Sequence, residues 1–377
     1  MPHSPIPRPI YLDHAATTAA DPAVIDAMAE SMRTTLANPS AAYSLAGDAR
    51  KAMRLARQTL SRMIGCDHNE LFFTSGGTEA NNWAFCGLEN RHVILSAIEH
   101  SSVLEAARNR HCEITLIKPD ADGIIHPEAI ENAIRPDTTM ISVQYANNET
   151  GVLQPVESIG SLARTRKILF HCDAVQAVGH VPVSVRKNCI DLLSVSAHKL
   201  YGPRGIGFLY IRSGVQLTPL LAGGGQENGR RSGTENIPAM EGFRIAAELA
   251  MADMKSRAAK EKQLIQLLTE TLCTAIPHAR FLCRNALRTP GVCAVHLPGL
   301  SSETTIAKLD LCGILVSGGA ACAAASAAPS HVYTAMGLSA EEASCVLRFS
   351  VGRHTTEEEI RAAAAETIRI YKENASL

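Results

Sequence analysis

The sequence predicts an α/β fold: a large domain on a mainly parallel, seven-stranded sheet, followed by a smaller C-terminal α+β domain. Three observations carry this. From Glu70 onward, short apolar segments alternate with helical ones, the rhythm of strand–helix–strand units. The two segments densest in reactive side chains, 170–176 and 194–205, each follow one of those apolar runs, which is where α/β sheets bind ligands. Beyond Ile276 the order loosens into a mixed pattern of strands and helices. The 377 residues are enough for two cores, and we place the large domain at 18–256 and the small one at 1–17 together with 257–377.

Taken in order, residues 10–18 (Ile-Tyr-Leu-Asp-His-Ala-Ala-Thr-Thr) read as a short extended start. Asp21-Pro22 caps a first helix, with Val24, Met28, Met32 and Leu36 spaced four apart. A second helix covers about 44–64, with Leu45, Met53, Leu60 and Ile64 broadly on one face. Strands follow at 71–73, 93–95, 114–117, 140–143, 168–170, 192–195 and 206–211. A long helix with charged faces runs from about Met240 to Thr274 and leads out of the first domain. Strand-like segments at 292–297, 315–316 and 346–350, with helices at 302–311 and 356–372, make the second.

Composition narrows the function. Lysine and arginine (36) nearly balance aspartate and glutamate (37) and no basic run stands out, which argues against nucleic acid as the main partner. No apolar segment approaches a membrane span, and the N-terminus lacks a signal-peptide pattern, so a cytoplasmic enzyme is expected. The eleven cysteines are an odd number without a C-x-x-C pair, which fits reduced thiols in a reducing compartment.

The chemistry concentrates on Lys199. The apolar run 192–195 delivers Ser196-Ala197-His198-Lys199 into a loop closed by Gly202-Pro203-Arg204-Gly205. A lysine at the end of a buried strand is costly unless its charge is used or removed. The run 168–170 ends nearby in His171-Cys172-Asp173. A lysine and a carboxylate at neighbouring strand ends are what pyridoxal 5'-phosphate (PLP) requires: the lysine for a Schiff base, the carboxylate to keep the pyridine nitrogen protonated. A structural ion pair is the alternative, ranked lower because other cofactor signals accompany the pair.

Thr74-Ser75-Gly76-Gly77-Thr78 joins a strand to a helix start and suits a phosphate, with Ser196 and His198 within reach of the same group. As an isolated motif it could be an ordinary helix start. His100 follows another strand, where an imidazole can stack on a ring and move protons. Asn148, in Asn-Asn-Glu-Thr-Gly, is either a ligand or part of a common turn. The loop 223–234, with Arg230, Arg231 and Thr234, suits an anion. Arg348 and Arg353 offer planar forks that match an amino-acid carboxylate. Cys322 lies among small residues, Ser317-Gly-Gly-Ala-Ala-Cys-Ala-Ala, where a thiol could swing; a buried core cysteine is the competing reading.

Together these segments resemble the cysteine desulfurases of the NifS/IscS type, a class V aminotransferase family of PLP fold type I. The resemblance runs from Tyr11 through Arg353 on an ordered series: Tyr-Leu-Asp-x-Ala-Ala-Thr-Thr, Thr-Ser-Gly-Gly-Thr-Glu, Glu-His, Asn-Asn-Glu-Thr-Gly, His-x-Asp-Ala-x-Gln, Ser-x-His-Lys-x-Tyr-Gly-Pro-x-Gly, Arg-Ser-Gly-Thr and Arg-Phe-Ser-x-Gly-Arg. It implies that Lys199 holds PLP and Asp173 pairs with the ring nitrogen. Gln176 and Asn148 would flank the phenolic oxygen and His100 would stack on the ring. Gly77, Thr78, Ser196 and His198 would hold the phosphate, and Thr234 would reach the phosphate of a neighbouring subunit in a homodimer. Arg348, with Asn148, would take the substrate carboxylate, and Cys322 would accept the sulfur. The implied reaction takes L-cysteine to L-alanine and leaves a persulfide for a sulfur-acceptor protein, an iron–sulfur scaffold or a thiolation enzyme. No metal, membrane or direct nucleic-acid partner is implied. Three positions depart from the family pattern: Ala320 and Ala323 stand where hydroxyl residues usually flank the cysteine, and Tyr43 stands where a histidine is common. The alternatives are another PLP reaction on the same fold (selenocysteine lyase, epimerase or aminotransferase) or a non-catalytic sulfur carrier.

Overall fold

The structure is a computed structural model that describes residues 9–89, 91–110, 112–319 and 329–375. Its large sheet contains β2 (Leu71–Thr74), β3 (His92–Ser96), β4 (Glu113–Ile117), β5 (Thr138–Ser142), β6 (Leu169–Asp173), β7 (Leu192–Ser196) and β8 (Gly207–Ile211), in the spatial order β2-β8-β7-β6-β5-β3-β4. Neighbours from β4 to β7 are parallel, whereas β8 is antiparallel to both β7 and β2. Six of the seven strands therefore point the same way, and their carboxyl ends share one edge. β3, β5, β7 and β8 are buried along almost their whole length, as a sheet covered on both faces requires.

The helices α1 (Pro22–Thr34), α2 (Ala46–Ile64), α3 (Gly77–Cys86), α4 (Ser101–Arg108), α5 (Pro127–Ala133) and α6 (Val156–Arg166) accompany this sheet. α7 (Ile237–Ala275) has 39 residues and so extends about 58 Å. Its first half packs on α1 and α2 through Met240, Phe243 and Ala247. Its second half, from Leu264 to Leu272, belongs to a separate core that includes Leu12, Val295, Leu347, Phe349 and Ile360. That second core is built on β9 (Arg280–Phe281), β10 (Val292–His296) and β12 (Val346–Ser350), which pair antiparallel, with α8 (Ser302–Leu311) and α11 (Glu357–Ala375). β1 (Ile10–Tyr11) leaves the large unit and pairs parallel with β11 (Ile314–Leu315). The short helices α9 (His331–Ala335) and α10 (Ala340–Ser344) complete the described α-helices.

The seven expected strands all form, with bounds that differ from expectation by one to three residues; the last, expected at 206–211, is one residue shorter. The first two helices form too, but their expected apolar faces need correction. Asp21 caps α1 as expected, its side chain accepting from the Ala23 N–H at 3.0 Å. Val24 is buried, whereas Met32 is 66% exposed and Leu36, beyond the helix end, is 86% exposed. Each step of four residues advances about 40° around a helix, so a run spaced by four drifts off the buried side. In α2, Leu45 lies outside the helix and is exposed, and the contact with the core is made by Ala49, Ala56, Leu60 and Ile64.

Candidate active site

The shared strand edge assembles the site. β2 hands over to α3 through Gly76 and Gly77, with Thr78 in the first turn. β3 leads to Glu99 and His100, and β5 leads to Gln144 and Asn148. β6 ends on Asp173, and β7 runs through Ser196 into a single 3-10 turn over Ala197–Lys199. Gly77, Thr78, His100, Asn148, Asp173, Gln176, Ser196, His198, Lys199 and Arg348 line one cavity of about 200 Å³. The cavity residues between Gly77 and Lys199 converge because parallel strands put their carboxyl ends side by side, and Arg348 joins them from β12 of the second core.

Lys199 Nζ donates to the carbonyls of Ala15 (2.6 Å) and Ala16 (2.8 Å), and Gln176 Nε2 donates to the same Ala15 carbonyl at 2.9 Å. Asp173 is fixed by two donors: Asn81 Nδ2 at 2.8 Å and the Val175 N–H at 3.0 Å. Asn81 also reaches Ser102 Oγ at 2.9 Å, and Ser102 Oγ lies 2.7 Å from His100 Nδ1, so the carboxylate and the imidazole are linked through one amide. His100 Nδ1 also accepts from the Ser102 N–H at 3.1 Å and caps α4. Burial lowers the His100 pKa, and the Lys199 and His331 charges add to this while Asp173 opposes it. His198 is pushed to about 4 by burial, with Lys199 and Arg204 adding to the effect. Glu99, fully buried behind His100, is driven well above the carboxylate range by burial, with Asp173 contributing, although the Gln144 N–H donates to it at 2.7 Å.

Arg348 is 1% exposed, in the middle of β12. Its Nη2 donates to Asp13 Oδ1 at 2.6 Å and its Nη1 to the Asn148 carbonyl at 2.9 Å, while Nε has no partner among the described residues. Its backbone forms an isolated bridge with Ser317, the Arg348 N–H reaching the Ser317 carbonyl at 2.6 Å. On the other side, Ser330 Oγ donates to the buried Glu149 at 2.6 Å, next to Asn148. Both flanks of the stretch carrying Cys322 are thereby tied to the cavity rim. Cys322, Ala320 and Ala323 themselves lie outside the described residues.

These residues fit PLP. A lysine, a carboxylate and a helix N-terminus with hydroxyls at Thr78 and Ser196 supply its three classes of contact in one cavity. At Gly77 a Cβ would come within 2.8 Å of Val175 Cγ2, so only glycine keeps the helix start this close to the Asp173 segment.

Three sequence-named residues sit elsewhere. Arg353 is spent on Asp21 (2.7 Å) and Asp253 (2.9 Å). Arg231, expected to favour an anion, instead grips Glu79 with two bonds of 2.8 and 3.1 Å. Thr234 is exposed and does not line this chain's cavity. Asn81, Ser102, Gln144 and Asp13 were missed by sequence reasoning. Asn81 was findable as the residue one helical turn beyond Gly77 on α3; for Asp13 no local signal points to Arg348, 335 positions away.

Residues 10–362 match the family model described as Aminotransferase class-V. The chain belongs to the class-V aminotransferase family. Within that family it is 40% identical to cysteine desulfurase IscS of Clostridium botulinum over 364 residues, which is 94% of this chain and 92% of that protein. Its fold is similar to a NifS-like protein from Rickettsia africae, with a TM-score of 0.89 and 31% identity, covering 97% of this chain and 99% of that one. It is also similar to SspA, solved in complex with cysteine, with a TM-score of 0.80, 34% identity and coverage of 92% and 99%. The class-V fold is the PLP fold type I that the motifs imply.

Proposed function

We propose that this protein is a PLP-dependent cysteine desulfurase that converts L-cysteine to L-alanine and leaves the sulfur as a persulfide on Cys322. The observation that carries this reading is the convergence of Lys199, Asp173 and Arg348 on one cavity in a chain whose relatives are cysteine desulfurases.

Lys199 is the residue to hold the cofactor, with Asp173 at its pyridine nitrogen, His100 against the ring, Gln176 and Asn148 by the phenolic oxygen, and Gly77, Thr78, Ser196 and His198 at the phosphate. Bound there, PLP supplies an electron sink for the charge that develops when the substrate Cα loses its proton. Arg348 orients the substrate by its carboxylate; its buried guanidinium already faces oxygen acceptors in Asp13 and Asn148. Lys199 Nζ, at the end of β7 in the same cavity, would take the Cα proton. His100, with its pKa lowered, offers a neutral imidazole that can accept a proton near the substrate thiol. Cys322 Sγ, as thiolate, attacks the substrate sulfur. The S–S bond forms as the substrate Cβ–S bond breaks, its electron pair staying with the substrate, and one proton returned to Cβ and one to Cα complete alanine.

A homodimer is part of this reading, and so is Thr234 contributing to the partner's phosphate site. Among the described residues, six of the ten exposed large apolar side chains (Ile25, Met32, Leu36, Tyr43, Leu45 and Leu55) fall within positions 25–55, which supports a second copy covering that region. No described helix is long and apolar enough to cross a membrane. The sulfur passes to an acceptor protein for iron–sulfur assembly or thio-modification.

The test is incubation with L-cysteine and a reductant, with alanine and sulfide measured together. Cys322→Ser is expected to bind PLP and cysteine but to accumulate no persulfide in a single turnover, read by mass spectrometry. Persulfide on Cys172 or Cys345, or full activity in the serine variant, would refute the role of Cys322.

A further inference from the structure

Against the backbone of Lys199, outside the residues that line the cavity, lies a polar cluster that the chemistry above does not use. His180 Nε2 is 2.9 Å from the Lys199 carbonyl. Its other nitrogen, Nδ1, is 3.3 Å from Arg257 Nη1. A guanidinium has only donors, so Nδ1 must accept, and the ring proton must sit on Nε2, where it donates to Lys199. Arg257 is buried in the middle of α7; its Nη2 donates to the Gly179 carbonyl, its Nε reaches Asp253 Oδ1 at 3.3 Å, and it is ion-paired with Glu261 at 3.7 Å. Asp253 in turn pairs through Oδ2 with Arg353 at 2.9 Å, and Arg353 lies five residues beyond Arg348. Arg353 also stacks over Tyr201, 4.7 Å from its ring centre, and its N–H donates to the Tyr201 hydroxyl at 2.6 Å. The close approach is built in: Gly179 takes φ +88°, and a Cβ there would come within 3.0 Å of Leu200 Cβ.

We propose that His180 is a positioning residue for the lysine loop, its Nε2–H holding the Lys199 carbonyl and tying that loop through Arg257, Asp253 and Arg353 to the strand that carries Arg348. The residue that moves the proton and the residue that binds the carboxylate stand on different cores, joined by α7. A chain of hydrogen bonds and ion pairs across that join fixes one relative to the other. Burial and the adjoining Arg257 charge hold His180 at about 4, so the donor pattern persists across the working pH range. The proposal rests on Lys199 being the cofactor lysine.

Two variants and one spectrum test it. His180→Phe keeps a planar ring and removes the donor; His180→Gln keeps an N–H donor. In the holoenzyme, His180→Phe is expected to lower kcat roughly five- to tenfold, the size of one lost hydrogen bond at a positioning contact, with KM for cysteine nearly unchanged. PLP affinity of the apo-protein, read by fluorescence titration, is expected to weaken several-fold. His180→Gln is expected to recover most of both. Nitrogen-15 histidine spectra of the wild type, with the signal assigned by its loss in His180→Gln, are expected to show the Nε2–H form at pH 7. Unchanged kcat and PLP affinity in His180→Phe, equal losses in both variants, or the Nδ1–H form would overturn the proposal. Should His180→Phe not fold, the tautomer decides. A wild type that makes no alanine from cysteine sinks the desulfurase reading and this role with it. An active wild type with an unaffected His180→Phe sinks only the role of His180.

Discussion

Lys199 and Asp173 are neighbours in space because β6 and β7 are adjacent and parallel, with Asp173 paired to Ser194. The lysine's present partners are the Ala15 and Ala16 carbonyls, and the aspartate's are Asn81 and the Val175 N–H. The hydrogen bonds cited for the two residues go to different partners, and each residue can be tested by its own substitution. Lys199→Ala is expected to bring turnover to background and to abolish covalent retention of PLP after borohydride reduction, read by peptide mass. Retention on another lysine would move the assignment. Asp173→Asn leaves a side chain able to keep the Asn81 and Val175 neighbourhood but unable to hold a pyridinium proton. It is expected to bind PLP yet lose on the order of 10²-fold or more in alanine formation. Near-normal single-turnover rates would make Asp173 a structural anchor only. Both residues were legible in the sequence, since each ends an apolar run. Arg231 and Arg353 looked equally promising there, but guanidinium groups find carboxylates wherever the fold supplies them, and Glu79, Asp21 and Asp253 are distant in sequence.

At the scale of the element, the β2–α3 junction proposed to hold the phosphate depends on a glycine. Its helix starts against the segment leaving β6, and the predicted Cβ contact at Gly77 is with Val175, a stiff β-branched side chain. Gly77→Ala is expected to weaken PLP binding at least tenfold, by equilibrium titration, while thermal stability changes little because α3 gains a better helix former. Unaltered affinity would mean that Val175 gives way and that the cup is not set by this approach. The alternation that marks this large sheet was legible because its strands are buried on both faces and read as apolar runs. The antiparallel placement of β8 between β2 and β7 was not legible, since a single strand carries no direction in its composition. The i+4 apolar run on α1 misled for a geometric reason, and the alanines that bury α2 were missed because small side chains do not stand out in an apolar count.

Across the whole molecule, folding hides several histidines in uncharged form. Burial is the first cause at His14, His171 and His180, each lowered to about 4 from an ordinary value of 6.5. Between pH 6.5 and 4 the unfolded chain binds more protons at these sites than the folded one. Stability from this source is therefore complete above pH 6.5 and is lost as the pH falls toward 4, by up to about 1.4 kcal/mol per pH unit for each histidine. The denaturant midpoint of the apo-protein is expected to drop steadily from pH 6.5 to 5; a flat profile over that interval would show that these rings are not held neutral. α7 gives the molecule its second large-scale property. One helix serves both cores, so the charges at its middle, Asp253, Arg257 and Glu261, sit where the two meet. Glu261, 1% exposed and driven up to about 7 by burial, is part of that junction.

The fold class, the strand and helix order, the family, and the cavity residues that end apolar runs or sit in glycine turns could all be read from the chain alone. Those features are local: an apolar run, a turn residue and a strand-end polar group keep their meaning within ten residues of chain. That Arg348 meets Asp13, that Asn81 holds Asp173 and that His180 reaches the Lys199 carbonyl became visible in the folded chain. Each of these joins elements whose adjacency follows from sheet order and from the path of α7, and side chains of the same type elsewhere in the chain carry the same local signal without the contact.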